Sequence, residues 1–147
     1  MNEEKPSPIM EFKDDTELMS CMREWKKILF LEHWTIRAML VDEIINEQEL
    51  SGQNHIVMEI NCSLIKMLKP TDLNSEDLKD RMAKFCHEQI LVHELLHCKY
   101  NWVVETNTYE GKYHDTLDHS MLDQMSRSLI MAKYNLPFEW FENFPEA

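Results

Sequence analysis

The sequence Leu91-Val92-His93-Glu94-Leu95-Leu96-His97 carries the most specific pattern in this chain, two histidines four positions apart with a glutamate directly after the first. On an α-helix this spacing places both imidazoles on one face, about one turn apart, where they can bind one Zn²⁺ ion. Glu94 then lies beside the metal, at the position of a general base. The pattern predicts a zinc site on a helix.

The residues before the motif predict a long helix whose buried face carries both histidines. After a break at Lys69-Pro70-Thr71-Asp72, Asn74 or Ser75 can cap a helix that continues to about Tyr100. Buried imidazole nitrogens need a polar partner, and zinc is the simplest one. Two core histidines with ordinary hydrogen bonds are the alternative, which would leave Glu94 unexplained. The residues that share the side of His93 are mostly apolar: Leu78, Met82, Cys86, Ile90 and Tyr100.

A catalytic zinc usually takes three protein ligands and leaves a fourth position for water, so the chain must supply another ligand. The residues after His97 lack the glycine and third histidine of the extended metzincin motif. A helix predicted from about Tyr113 to Tyr134 offers candidates instead. Asp118 lies at the centre of its apolar stripe, where a carboxylate is costly without a cation, and is therefore the preferred third ligand. Two nearby histidines are the alternatives: His119 and His114.

Other polar residues are given lesser roles. His33 and His87 are not expected to be ligands. His87 points away from the face of His93 and is expected to be solvated, and His55, beside a strand, is expected to be exposed. The polar stretch from Asn101 to Lys112 predicts a loop that passes near the site. Candidate donors to the oxyanion of a substrate lie in or just after this stretch: Tyr109, Tyr113 and His114.

The rest of the chain predicts a small domain around the motif helix. Residues 1–13 are expected to form a flexible leader, and residues 14–147 a single domain. A first helix begins at Asp14 or Asp15 and runs to about Leu31. Two strands follow, at residues 34–38 and 55–60, and are expected to be antiparallel neighbours. The aromatic residues of 137–145 are expected to cover an edge of the core, with a partner-binding tail as the alternative.

Composition excludes several classes of function. The 147 residues carry a formal charge of −12, so no basic surface is available to bind nucleic acid or an anionic membrane. Two glycines leave no phosphate-binding loop. The four cysteines form no CxxC pair and are expected to be reduced thiols. The acidic start of the sequence lacks the pattern of a signal peptide, and a cytoplasmic location is expected.

The chain resembles zincin-like metallopeptidases, in particular the minimal zincin domains of bacterial and phage genomes. The resemblance rests on Trp34-Thr35-Ile36, the strand around residues 56–60, the motif helix, and Leu122-Asp123-Gln124-Met125-Ser126-Arg127 in a later helix. It implies an α+β fold with a small antiparallel β-sheet packed on the HExxH helix. It also implies Zn²⁺ as cofactor, with His93 and His97 as ligands. Such families commonly use Glu as the last ligand. This sequence has Asp118-His119 where that Glu is expected, which corresponds to an aspartate-type zincin.

The expected function is therefore zinc-dependent hydrolysis of peptide bonds, in which Glu94 takes a proton from a zinc-activated water and passes it to the leaving amine. A peptide or protein is the expected substrate. The alternative is a catalytically inactive zincin-fold protein that acts as a protein-binding or zinc-sensing module. Glu94 favours the enzyme, since neither alternative role needs a carboxylate at this position.

Overall fold

The computed structural model describes residues 7–42, 52–69, 86–106, 111–137 and 139–141, without the side chains of residues 58, 101–106 and 111–119. Its elements are α1 (Asp15–Ile28), β1 (Thr35–Val41), β2 (Gly52–Val57), a 3₁₀ turn (Met58–Ile60), β3 (Cys62–Leu68), α2 (His87–Thr106) and α3 (Gly111–Tyr134). This arrangement confirms the α+β class. Among the described residues, no helix combines the length and apolar character that crossing a membrane requires.

The sheet has strand order β1-β3-β2 and is mixed, so the prediction of an antiparallel sheet is wrong for the β1–β3 pair. β3 pairs parallel with β1 and antiparallel with β2. The prediction that the first two strands are antiparallel neighbours is therefore wrong, because β3 lies between them. The residues predicted as one strand to Ile60 instead turn after Val57, and Asn61 takes a positive φ of 50°, a conformation that asparagine tolerates well. This tight turn makes β2 and β3 a hairpin.

Helix α1 begins and ends close to the predicted bounds. The side chain of Asp14 accepts a hydrogen bond from the backbone N–H of Glu17 at 2.9 Å and so caps the first turn. At the other end, the N–H of Leu31 bonds to the carbonyl of Lys26 at 2.8 Å, as in a Schellman motif. The buried face of this helix packs into the core through Leu18, Cys21, Met22 and Trp25.

Helix α2 is the centre of the core and is covered on nearly every side. Its buried apolar residues are Ile90, Leu91, Val92, Leu95 and Leu96, each at most 2% exposed. The sheet and α3 pack against it, and α1 contributes a third contact. This burial holds the motif in a rigid element.

The segment before α1 covers the start of α2. The N–H groups of His87 and Glu88 donate to the carbonyls of Met10 and Ile9 at 3.1 and 3.0 Å. The N–H of Phe12 donates to Nδ1 of His87 at 3.0 Å. His87 is consequently buried, and the prediction that it is solvated is wrong, because a helical wheel carries no information about a segment that packs from elsewhere in the chain. The residues that cover His87, which are Ile9, Met10 and Phe12, belong to the stretch 1–13, the predicted leader.

Two further predictions have mixed outcomes. Helix α2 continues to Thr106 and α3 begins at Gly111, so the loop predicted from Asn101 to Lys112 is wrong for residues 101–106 and 111–112. Phe141 is buried and its ring lies 4.6 Å from that of Trp140, which confirms that these two aromatic residues cover the core. The predicted capping residues Asn74 and Ser75 lie outside the described residues.

Candidate metal centre

The structure brings the three motif side chains together on α2. One ligand atom from each of His93, Glu94 and His97 lies within 4.8 Å of the others. The imidazole rings have centroids 5.1 Å apart. His93 is 1% exposed and Glu94 7% exposed, whereas His97 is half-buried. The group is thus closed towards the core and opens towards solvent at His97.

A carboxylate on α3 holds the ring of His93. Oδ1 of Asp123 lies 3.3 Å from Nδ1 of His93, and both side chains are buried. A proton on Nδ1, donated to this carboxylate, makes Nε2 the nitrogen with the lone pair, which is the form in which imidazole binds a metal. Asp123 therefore sets both the tautomer and the direction of His93.

Asp123 is itself fixed by its neighbours. Nε2 of Gln89 donates to its Oδ1 at 2.9 Å, and Nε of Arg127 lies 3.2 Å from its Oδ2. The hydroxyl of Ser126 donates to the backbone carbonyl of Asp123 at 2.7 Å. The nearby guanidinium compensates the buried carboxylate, which would otherwise be costly.

Sequence reasoning missed this role for Asp123. The signal that could have found it is the Asp123–Arg127 pair at i and i+4, an ion pair beside the apolar residues of a core helix. Such a pair is also common on solvent-exposed helix faces. Only the packing of α3 on α2 distinguishes the two situations.

The side chain of Glu94 is buried where helix α2 packs on strand β2. Burial raises the pKa of its carboxyl to about 7, while the electrostatic interaction with the neighbouring His93 acts in the opposite direction. Gly52 of β2 packs directly on it, since a Cβ there would approach Cγ of Glu94 to 3.4 Å and Cγ2 of Ile90 to 2.9 Å. A glycine is needed here because the strand passes so close to the helix.

Asn54 joins the same strand to the helix. Its Nδ2 donates to the backbone carbonyl of Glu94 at 2.6 Å and to Sγ of Cys98 at 3.2 Å. Its Oδ1 accepts from the hydroxyl of Ser63. Cys98 therefore contacts the sheet, although it follows His97 in sequence. All four cysteines are free thiols.

The candidates for the third ligand, Asp118, His119 and His114, are all positions of helix α3. The structure describes the backbone at these positions and not the side chains. The same holds for Tyr113, and Tyr109 falls outside the described residues altogether.

One buried and one half-buried imidazole, with the carboxylate of Asp123 behind the buried one, are a donor set that suits Zn²⁺, a borderline-soft cation that prefers nitrogen and sulfur ligands. Comparison with known proteins gave no match: no family model matches the chain, and no curated protein or solved structure is significantly similar to it. The geometry of the site is therefore the basis of a functional assignment.

Proposed function

We propose that this chain is a zinc-dependent peptidase in which His93 and His97 bind the metal and Glu94 is the general base. The observation that carries the proposal is the convergence of two imidazoles and a buried carboxylate within 4.8 Å on one helix. A carboxylate costs free energy when it is buried, and a structural histidine pair has no need of one. A bound cation accounts for the two histidines, and proton transfer beside that cation accounts for the buried carboxylate of Glu94.

The chemistry divides between the metal and the chain. Zinc, when bound at these histidines, would lower the pKa of a water molecule and polarise the carbonyl of a substrate. Glu94 takes the proton of the attacking water and delivers it to the leaving amine. Burial raises the pKa of its carboxyl, and a cation bound beside it would lower that pKa and so favour the basic form that accepts the proton. Asp123 keeps the ring of His93 in its ligand orientation.

The sheet offers a binding surface for an extended peptide. Within the described part of the chain, β2 pairs with β3 along one side and with no strand along the other. A peptide can pair with such an edge as an additional strand. Gly52 of β2 packs against Glu94, so a peptide bound along this edge would run past the general base.

For the third ligand, the register of α3 favours His119. The pairs Gln89 with Ser126 and His93 with Asp123 make α2 and α3 antiparallel, so the direction from His93 to His97 corresponds to the direction from Asp123 towards Gly111. Position 119 lies one helical turn before Asp123, about 40° from it around the helix axis, whereas position 118 is rotated by about 140° from Asp123. His119 is therefore proposed ahead of Asp118 and His114.

Metal analysis of the purified protein tests the ligands. Stoichiometric zinc is expected in the wild type and little in the His93→Ala, His97→Ala double variant, with His33→Ala, an exposed histidine outside the motif, as the matched control. Of the single variants His119→Ala, Asp118→Ala and His114→Ala, the first should lose the most zinc. Unchanged zinc in the double variant would reject the metal site.

Hydrolysis of an unfolded protein or of a peptide library tests the enzyme. Glu94→Gln should keep its zinc and lose turnover, because the amide has no basic oxygen. Turnover that survives this change would remove Glu94 from the role of base. A wild type that binds zinc and hydrolyses none of these substrates would favour the inactive, protein-binding or zinc-sensing module.

A further inference from the structure

A cavity lies between the end of α1, the later part of α2 and the middle of α3. Its volume is about 480 Å³, within the range of roughly 300–1,000 Å³ that is common for ligand sites. Helix α2 contributes Leu96, Lys99 and Tyr100 to the lining, and α3 contributes Met121 and Met125 among others. None of the three motif residues lines it, so this cavity is separate from the metal centre.

Large apolar side chains surround the opening of this cavity. Phe30 is 78% exposed, Met121 45% and Ile28 43%. All three line the same cavity. A single exposed apolar residue needs no explanation, but several around one concave site are typical of a surface that binds another molecule.

Phe30 has an unfavourable backbone conformation for a phenylalanine. Its φ is 58°, in the left-handed region, at the position after α1 where glycine is preferred. Because its side chain is mostly exposed, little burial within this chain compensates the strain. The hydrogen bonds that end α1, from Phe30 to Lys27 and from Leu31 to Lys26, maintain this conformation and hold the exposed ring at the edge of the cavity.

Lys99 gives the cavity a positive charge. Its Nζ donates to the backbone carbonyl of Leu29 at 3.0 Å and lies 5.6 Å from the centre of the Phe30 ring. It forms no salt bridge with any carboxylate whose side chain the structure describes. Such a lysine is unusual in a chain with 27 acidic and 15 basic residues. The cavity therefore combines apolar walls with a cation that has no acidic partner there.

We propose that this cavity is a docking site for a segment of a partner protein that carries a large apolar side chain beside a carboxylate. The apolar side chain occupies the space between Leu96 and Met125, and the carboxylate pairs with Lys99. The ring of Phe30 packs on the bound segment. Methionines suit such a surface because their flexible side chains adapt to different partners. This site is independent of the metal centre and of the proposed peptidase activity.

Two labelled synthetic helical peptides provide the probes. Both carry Leu and Phe at i and i+4, with glutamates beside them in the first peptide and lysines in the second. Fluorescence anisotropy at physiological ionic strength, which screens the net charge of the chain, measures their affinities. The wild type should bind the glutamate peptide on the order of tenfold more tightly than the lysine peptide. Lys99→Glu should reverse this preference.

Phe30→Gly separates binding from stability. Glycine relieves the left-handed strain, so the melting temperature should stay the same or rise while binding of the glutamate peptide weakens on the order of tenfold. Ile60→Ser is the matched control, since Ile60 is 65% exposed and does not line the cavity. It should leave binding unchanged.

Three results would overturn the proposal. The first is no saturable binding of the glutamate peptide, or a preference that Lys99→Glu leaves unchanged. The second is binding of dodecanoate that depends on Lys99 when neither peptide binds, which would assign the cavity to a small amphiphile. The third is concentration-dependent self-association that Phe30→Gly abolishes, again without peptide binding, which would assign the surface to a second copy of this chain.

Discussion

At the scale of single residues, the candidate metal centre depends on residues outside the HExxH motif. Gly52 allows β2 to pass close to Glu94, Asn54 bonds to the backbone of Glu94, and Asp123 holds His93. Each acts on a different part of the motif. Their substitution should therefore affect the proposed general-base function of Glu94 and the proposed metal binding separately.

Gly52→Ala should impair turnover more than zinc binding. The added Cβ would lie 2.9 Å from Cγ2 of Ile90 and 3.5 Å from Oε1 of Glu94, so the strand or the carboxylate must move. A displacement of about 1 Å near reacting groups can lower the rate on the order of a hundredfold. Peptide hydrolysis and zinc content, measured together, check this, with Gln53→Ala on the neighbouring position as control. Full activity of Gly52→Ala would contradict the proposed placement of Glu94.

Asp123→Asn should weaken zinc binding while leaving the fold in place. The amide has nearly the same size but removes the charge that favours the ligand form of His93, and loss of such a partner typically lowers metal affinity about 10- to 100-fold. Competition with a chelator measures the affinity, and far-UV circular dichroism monitors the fold. Ser128→Ala, on the exposed face of the same helix, should bind zinc like the wild type. Equal affinity of Asp123→Asn would remove Asp123 from this role.

At the scale of elements, Glu88 on α2 joins three other parts of the fold. It accepts hydrogen bonds from the backbone of Ile9 at 2.9 Å, from Nε1 of Trp25 at 2.7 Å and from the hydroxyl of Tyr134 at 2.6 Å. Nζ of Lys133 lies 3.3 Å away. The carboxylate is fully buried, so the segment before α1, helix α1 and helix α3 all meet α2 at one charged group.

Glu88→Gln should lower the free energy of unfolding by about 3 kcal/mol, since the amide cannot accept all of these bonds and leaves Lys133 without its buried partner. Glu24→Gln provides a matched control. Glu24 pairs with the same lysine at 2.8 Å but is 58% exposed, and such surface pairs contribute about 1 kcal/mol or less. Urea denaturation measures both. A similar small loss in the two variants would show that Glu88 is not a central contact of the fold.

At the scale of the whole molecule, the stability of the fold should depend on pH through buried groups with shifted pKa values. Burial lowers the pKa of His87 from 6.5 to about 4, although Glu11 and the backbone of Leu68 act in the opposite direction. The folded chain then binds fewer protons than the unfolded chain between these values. The contribution of His87 to the free energy of unfolding is therefore fully present above pH 6.5 and is lost as the pH falls to about 4.

His87→Asn isolates this contribution, because the asparagine can still accept a hydrogen bond from Phe12 but does not titrate. The wild type should lose about 3 kcal/mol more than the variant on acidification from pH 6.5 to 4, from a shift of about 2.5 pKa units. The difference between the two proteins is the quantity to measure. Glu94 has a raised pKa and so contributes with the opposite sign in the same pH range. Identical pH profiles of chemical denaturation would refute this role of His87.

Local patterns were sufficient to predict several features. The capping residue Asp14 and the helical period predicted α1, and the position of His93 on an apolar face predicted its burial. These features depend on neighbours within one or two helical turns. The side chains of Asp118, His119 and His114 lie outside the described residues, so the third ligand stays a prediction.

The amino-acid sequence by itself determined that the two motif histidines share one face of a helix with Glu94 beside them. Residues four positions apart lie on the same face of any α-helix, so their spacing is enough. Tertiary structure decided that β3 separates the first two strands, that the segment before α1 buries His87, and that Asp123 reaches His93 across 30 positions of sequence. These contacts join residues far apart in the chain, and their pairing depends on how whole elements pack.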